Sequence, residues 1–212
     1  MLNLKKNLAF TMAEVLMVIG IIGVVSALTL PNLNNNVDDR VNVTKAKKVY
    51  SDLAAAVDRV SLKYEGTKRD TSNWTAAGTV QRLNSMMKPK GMSTSYWYEA
   101  GDCANTATGL ADGSSYCVLA NNATCLNVLM DVDGTNKGFR EVGYDIFKAS
   151  ISIPADYTEP IELKPWSCSD NGTFTTSTQP GSENYLHWII ENDNMDYRKC
   201  NTLYYQNVIS CK

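Results

Sequence analysis

Residues 10–30 read FTMAEVLMVIGIIGVVSALTL, an apolar run interrupted by a single carboxylate at Glu14. As a helix this run is about 31 Å long at ~1.5 Å per residue. The hydrocarbon core of a bilayer is roughly 30 Å thick, so the length predicts a membrane-spanning segment. A segment this apolar on every side rarely serves as a core helix of a globular domain. Lys5 and Lys6 precede the run and Asp38, Asp39 and Arg40 follow it. That bias predicts a single pass with the amino terminus in the cytoplasm and the carboxyl terminus outside. The remainder is polar and rich in Asn, Ser and Thr, and the whole chain carries a net charge of −2. Without a dominant basic face, nucleic acid is not expected as a partner. The densest basic run, VTKAKKV at residues 43–49, reads as a solvated helix face.

All six cysteines, Cys103, Cys117, Cys125, Cys168, Cys200 and Cys211, fall in the part expected outside. An even count in an exported domain reads as three disulfides, whereas zinc would call for tighter CxxC or CxxH pairs. Six cysteines allow 15 pairings. Two local ones are expected: Cys200 with Cys211 closing a short carboxyl-terminal loop, and Cys117 facing Cys125 across a hairpin.

The leader does not end as a secretory signal ends. Its apolar core is too long, and Leu28-Thr29-Leu30-Pro31 is a poor small-residue cleavage site. Instead the basic leader runs through Asn7-Leu8-Ala9 into Phe10-Thr11-Met12-Ala13-Glu14. This segment resembles the type IV pilin and type II secretion pseudopilin family. The resemblance spans roughly residues 4–31. It implies cutting between Ala9 and Phe10 by a prepilin peptidase, methylation of the new Phe10 amine, and retention of the apolar segment. Ala9 stands where the family usually has glycine; both are small. Pro31 falls where pilins commonly place a helix-kinking proline, which removes one backbone donor.

The resemblance gives Glu14 two readings. In one, it complements the dipole and the amine of its own helix. In the other, it pairs with the Phe10 amine of a neighbouring subunit as helices bundle. A buried carboxylate without a partner is costly, so such a pair would specify axial stagger more than stability. The family implies the second, with Phe10, Glu14 and Pro31 as assembly residues. It also implies an assembly ATPase, an inner-membrane platform, membrane lipid and other pilins or further copies of this chain as partners. The destination would be a periplasmic or extracellular filament, as pilus subunit or as secretion pseudopilin. A single-pass anchored binding protein or adhesin that never polymerises is the alternative.

Beyond Pro31 helical spacing resumes. Val37, Val41, Ala46, Val49, Tyr50, Leu53, Val57, Val60 and Tyr64 recur at three- and four-residue steps, with Gly66 as a stop. Residues 73–87 read as a second helix closed by Lys88-Pro89-Lys90-Gly91. Asp112-Gly113 reads as a turn. Residues 114–120 and 124–131 read as strands paired across Asn121-Asn122, residues 143–153 as another strand, and residues 185–191 as a further one. Residues 154–182, with Pro154, Pro160, Pro165 and Pro180, read as loop-rich surface. A long helix followed by strands is an α+β pattern. The expected architecture is pilin-like: a leader at 1–9, a transmembrane assembly helix at 10–31, its amphipathic half at 32–65, and a headgroup at 66–212. The headgroup is a small antiparallel sheet with disulfide-stapled loops.

The stretch DVDGTNKGFREVGYDIF places Asp131, Asp133, Asn136 and Asp145 in an order similar to calcium loops, though without the spacing of an EF-hand. Set against calcium is a polar hairpin turn with Asp145 pairing locally. No other cofactor is expected. Nor is catalysis: His187 is the single histidine, set in YLHWII as an outward strand residue, and no G-x-S-x-G or H-E-x-x-H frames a site. The aromatics Tyr96-Trp97-Tyr98 and Tyr204-Tyr205 read as sheet-edge or under-loop residues.

Overall fold

In the computed structural model the longest element, α1, is assigned without a break over Met12–Tyr64, through Pro31. The described residues are 10–64, 74–92, 103, 107–134, 142–155, 159–166, 168, 177–178, 185–199, 203–204 and 210–211. Ala9, Gly66, Tyr96-Trp97-Tyr98, Asn136, Cys200 and Tyr205 lie outside them. For Pro31, Tyr204 and Cys211 the backbone alone is described. The chain divides into two compact units, one ending at Asp38 and the other beginning at Asp39.

The first unit holds the apolar run, and it corrects the expectation of a membrane-spanning first half. Among the described residues no helix is long and apolar enough to cross a membrane. The reason lies in its ends. Glu14 and Thr11 form a polar cap at the start, and Asn32 opens an Asn-rich stretch at the other end. Residues 15–31 between them make about 25 Å of helix, short of the ~30 Å of hydrocarbon.

In the second unit α1 is amphipathic. Val43, Ala46, Val49, Leu53, Ala56, Val57 and Val60 are buried at helical spacing. Val41 and Tyr64, expected on that stripe, are exposed, as is Val37 in the first unit. The stripe packs on a six-stranded antiparallel meander. In order the strands are β1 (Pro89–Met92), β2 (Thr108–Leu110), β3 (Ser115–Asn122), β4 (Cys125–Asp131), β5 (Ile146–Ser152) and β6 (Glu162–Lys164). Strand alternation sorts the two faces. The register Tyr116↔Met130↔Phe147 and Val118↔Val128↔Ala149 stacks apolar rows on one face. Those rows share a single core with Leu53, Val57 and Val60 of α1. Each large side chain buried there contributes ~1.5–3 kcal/mol. The other face carries Cys117, Leu129, Asn127, Ser150 and Ser152.

Both expected central strands are present, but the turn falls at Ala123-Thr124 rather than at Asn121-Asn122, which lie within β3. Asn122 Oδ1 accepts from the Thr124 backbone N–H (2.9 Å) and hydroxyl (3.0 Å), a side chain standing in for the turn's own backbone bond. At Asp112-Gly113, Asp112 Oδ1 accepts from the Ser114 N–H, and Gly113 takes φ +92°. The second helix, α2 (Ala76–Met86), is capped by Thr75, whose hydroxyl accepts from the Gly78 N–H at 3.1 Å. The Lys88-Pro89-Lys90-Gly91 closure is partly a strand. Pro89 opens the edge strand β1, a position that tolerates its missing N–H.

Residues 185–191 do not form a strand. They belong to helix α3 (Tyr185–Asn192), followed by a 3-10 turn at Asp196–Lys199. The buried set is Tyr185, Leu186, Trp188 and Ile189, which is helical spacing; a strand would bury every second residue. Aromatic and β-branched content favours strand, and tertiary packing overrides it. The Asn192-Asp193-Asn194 turn does terminate the element. The Asp193 N–H donates to the Ile189 carbonyl at 3.0 Å with φ +57°, and Asn194 Oδ1 accepts the Trp188 indole N–H at 2.9 Å. Three two-residue strands, β7 (Ser177–Thr178), β8 (Leu203–Tyr204) and β9 (Ser210–Cys211), make a second small sheet.

Among the described residues two disulfides are present, Cys103–Cys117 and Cys125–Cys168; the expected Cys200–Cys211 closure involves Cys200, which lies outside them. The expected Cys117–Cys125 bridge is replaced because the hairpin register sets Cys117 opposite Leu129 and Cys125 opposite Asn122. The two cysteines are thus four residues apart along the ladder, about 13 Å, and a bridge requires Cα atoms within ~7 Å.

Gly143 precedes β5 at φ +85°, and a Cβ there would lie 2.6 Å from a Tyr185 ring carbon. Its carbonyl accepts the Tyr197 hydroxyl at 2.6 Å. Gly143→Ala is expected to destabilise the fold by about 1–3 kcal/mol, the scale of left-handed backbone strain in a non-glycine residue. Thermal unfolding monitored by circular dichroism measures it.

Candidate functional site

The start of α1 is organised by two side chains. The Thr11 backbone N–H (2.8 Å) and hydroxyl (2.9 Å) both donate to Glu14 Oε2, and the Glu14 N–H donates back to Thr11 Oγ1 at 3.3 Å. This is a capping box, which satisfies two of the amide groups that a helix N-terminus otherwise leaves without partners. Both Thr11 donors converge on the one carboxylate oxygen, Oε2.

Around this cap the surface is apolar and open. Phe10 is 85% exposed, Met12 82%, Met17 70% and Leu28 71%, and Leu16, Ile19, Ile21, Ile22 and Val24 are exposed between them. Such a contiguous apolar surface on a helix is a signature of interaction rather than of a finished fold.

The Asp131 turn closes β4 at the opposite level of organisation: it is buried. Asp131 and Asp145 are almost wholly removed from solvent. Asp131 Oδ1 accepts from the backbone N–H groups of Asp133 (3.3 Å) and Gly134 (2.8 Å), and the Val132 N–H donates to the Asp145 carbonyl at 2.9 Å. Burial, then the nearby charges of Asp133 and Asp145, pushes the Asp131 carboxyl up to about 6, against the opposing Gly134 hydrogen bond. Among the described residues no three His, Cys, Asp or Glu side chains are grouped to hold a metal ion. Asp131, Asp133 and Asp145 are near one another, but Asp131 commits an oxygen to the turn itself, and Asn136 lies outside the described residues.

His187 sits on α3 rather than on a strand. Its Nε2 lies 3.0 Å from Glu191 Oε1, and its ring packs on Trp166 with centroids 5.2 Å apart. Of the basic run, Lys47 pairs with Asp193 at 2.7 Å, and Lys48 bridges Asp52 and Asp112. These are ion pairs on a solvated helix face, as expected of the run. Residue-level reading of the sequence missed the role of Thr11, although T-x-x-E at a helix start is the signal that marks it. No family model, curated protein or solved structure matches this chain.

Proposed function

We propose that the chain is a prepilin-like structural subunit of a periplasmic or extracellular filament, cut between Ala9 and Phe10 and assembled through the apolar half of α1. The observation that carries the reading is the exposed apolar surface of residues 12–28 beside a charged cap. Apolar area removed from water stabilises by roughly 25 cal/mol per Å². Side-by-side packing of sister helices removes that area from water for every subunit at once.

Glu14 fits this role through its second oxygen. The Thr11 box holds the carboxylate in one orientation, and Oε1 remains to accept from the Phe10 amine of an adjacent subunit. Processing at Ala9 would create that amine without disturbing the box, since the Thr11 amide survives the cut. A prepilin peptidase, an assembly ATPase and its platform complete the reading as partners.

The test is mass spectrometry of the amino-terminal peptide from the chain as its host makes it, together with electron microscopy of sheared surface fibres. The expected result is a peptide beginning with N-methylated Phe10, from fibres that contain this chain. A mature chain beginning well downstream of Pro31, or an unmethylated one never found in a fibre, would refute it.

A further inference from the structure

On the sheet face turned away from α1, register places two polar rows side by side: Asn127, Ser150 and Lys164 in one, Cys125, Ser152 and Glu162 in the next. Beside them opens a cleft of about 330 Å³, walled by the Cys125–Cys168 disulfide and by Trp166. That volume is at the lower end of the ~300–1,000 Å³ typical of small-molecule sites.

The lining decides the chemistry. Asn122 offers an amide, Thr124 and Ser152 offer hydroxyls, Glu159 a carboxylate and Lys164 an ammonium. Lys164 already pairs with Glu162 at 3.1 Å, so no surplus positive charge is left to hold a phosphate or a carboxylate. An amine would meet only the carboxylate of Glu159, which is exposed and screened by solvent. Nor is the lining apolar enough for an aliphatic ligand. What remains is a neutral ligand dense in hydroxyl groups with an apolar side to lay on an indole.

The wall is also fixed before any ligand arrives. The Trp166 ring packs against His187, which pairs with Glu191. The Cys168 N–H donates to Asn127 Oδ1 at 2.9 Å, holding the disulfide segment against the sheet. A preorganised site loses little freedom on binding.

We propose that this cleft binds a neutral hexose-type sugar, with Trp166 as the stacking wall and Asn122, Thr124, Ser152 and Glu159 as its hydrogen-bond partners. The site belongs to one subunit, so it is independent of whether the chain polymerises.

The experiment is saturation-transfer NMR on the unassembled full-length chain with its disulfides intact, using glucose, galactose, N-acetylglucosamine and lactose in turn. The expected result is transfer to at least one of them with a Kd of about 0.1–5 mM. Trp166→Ala should weaken it about two- to tenfold, on the scale of a lost aromatic contact. Glu159 is exposed, so Glu159→Gln, which leaves the fold intact, should weaken it several-fold. Absence of transfer from every neutral sugar at about 50 mM, well above a millimolar Kd, would overturn the proposal. So would transfer that both variants leave unchanged, or a preference for an acidic sugar such as N-acetylneuraminate.

Discussion

For the filament subunit proposed above, Glu14→Leu is expected to leave the chain folded and processed at Phe10 while abolishing assembly. The substitution adds to the apolar surface, so simple hydrophobic association would increase. What it removes is the acceptor for a neighbour's amine. In an apolar bundle an ammonium without a partner is a heavy penalty, and that penalty falls on the register the carboxylate would have selected. Thr11→Ala separates charge from positioning. It keeps the carboxylate but removes the hydroxyl that donates to Oε2 and caps the Glu14 N–H. Filament yield should then fall part-way, whereas a purely local capping role would make the two variants behave alike. Sheared-fibre yield, with whole-cell amounts of the processed chain as the reference, measures both. Wild-type yield from Glu14→Leu would remove Glu14 from the assembly mechanism.

The same two residues show where sequence reading reaches and where it stops. Hydropathy marked residues 10–30 as the segment unlike the rest, and its large apolar side chains from Phe10 to Leu28 are indeed exposed. Counting apolar letters also took in Phe10 to Ala13, which the Thr11–Glu14 box turns into a polar helix start; the span therefore comes out too short for a bilayer. The β3–β4 hairpin was legible because alternation and the Asn122 turn agree. The pairing of Cys117 was not, because adjacency in sequence says nothing of rungs along the ladder. Helix α3 was hidden by its own composition. Leu186, Ile189 and Ile190 read as strand until Asn194, Asp193 and the Gly143–Tyr197 contact are seen to seat it as a helix. The Trp166 cleft draws on residues from 122 to 168, and no local pattern announces a site assembled from four separate stretches.

Asp131 carries a prediction of opposite sign for its two readings. An unfolded aspartate titrates near 3.8, and in the folded chain burial and the charges of Asp133 and Asp145 push Asp131 up to about 6. Below pH 4 both states hold the proton and the residue contributes no difference. Between pH 4 and 6 the unfolded chain has released its proton while the folded one retains it, so stability falls as pH rises. Above 6 the penalty is complete. At about 1.4 kcal/mol for each pKa unit it amounts to about 3 kcal/mol. Asp131→Asn keeps the oxygen that accepts from Gly134 and Asp133 but cannot ionise. It is expected to raise stability at pH 7 by about 1–3 kcal/mol and to flatten the profile between pH 4 and 6. Urea denaturation at a series of pH values, without divalent ions, measures both effects. If calcium instead neutralises this turn, the carboxylate becomes an asset once the ion is added. The same variant would then be less stable than the parent chain in millimolar calcium, and the wild-type slope would disappear on adding the ion. The turn chemistry favours the first outcome, since Asp131 already commits Oδ1 to two backbone amides and its carboxyl group is held nearer to neutral by burial than by any partner charge.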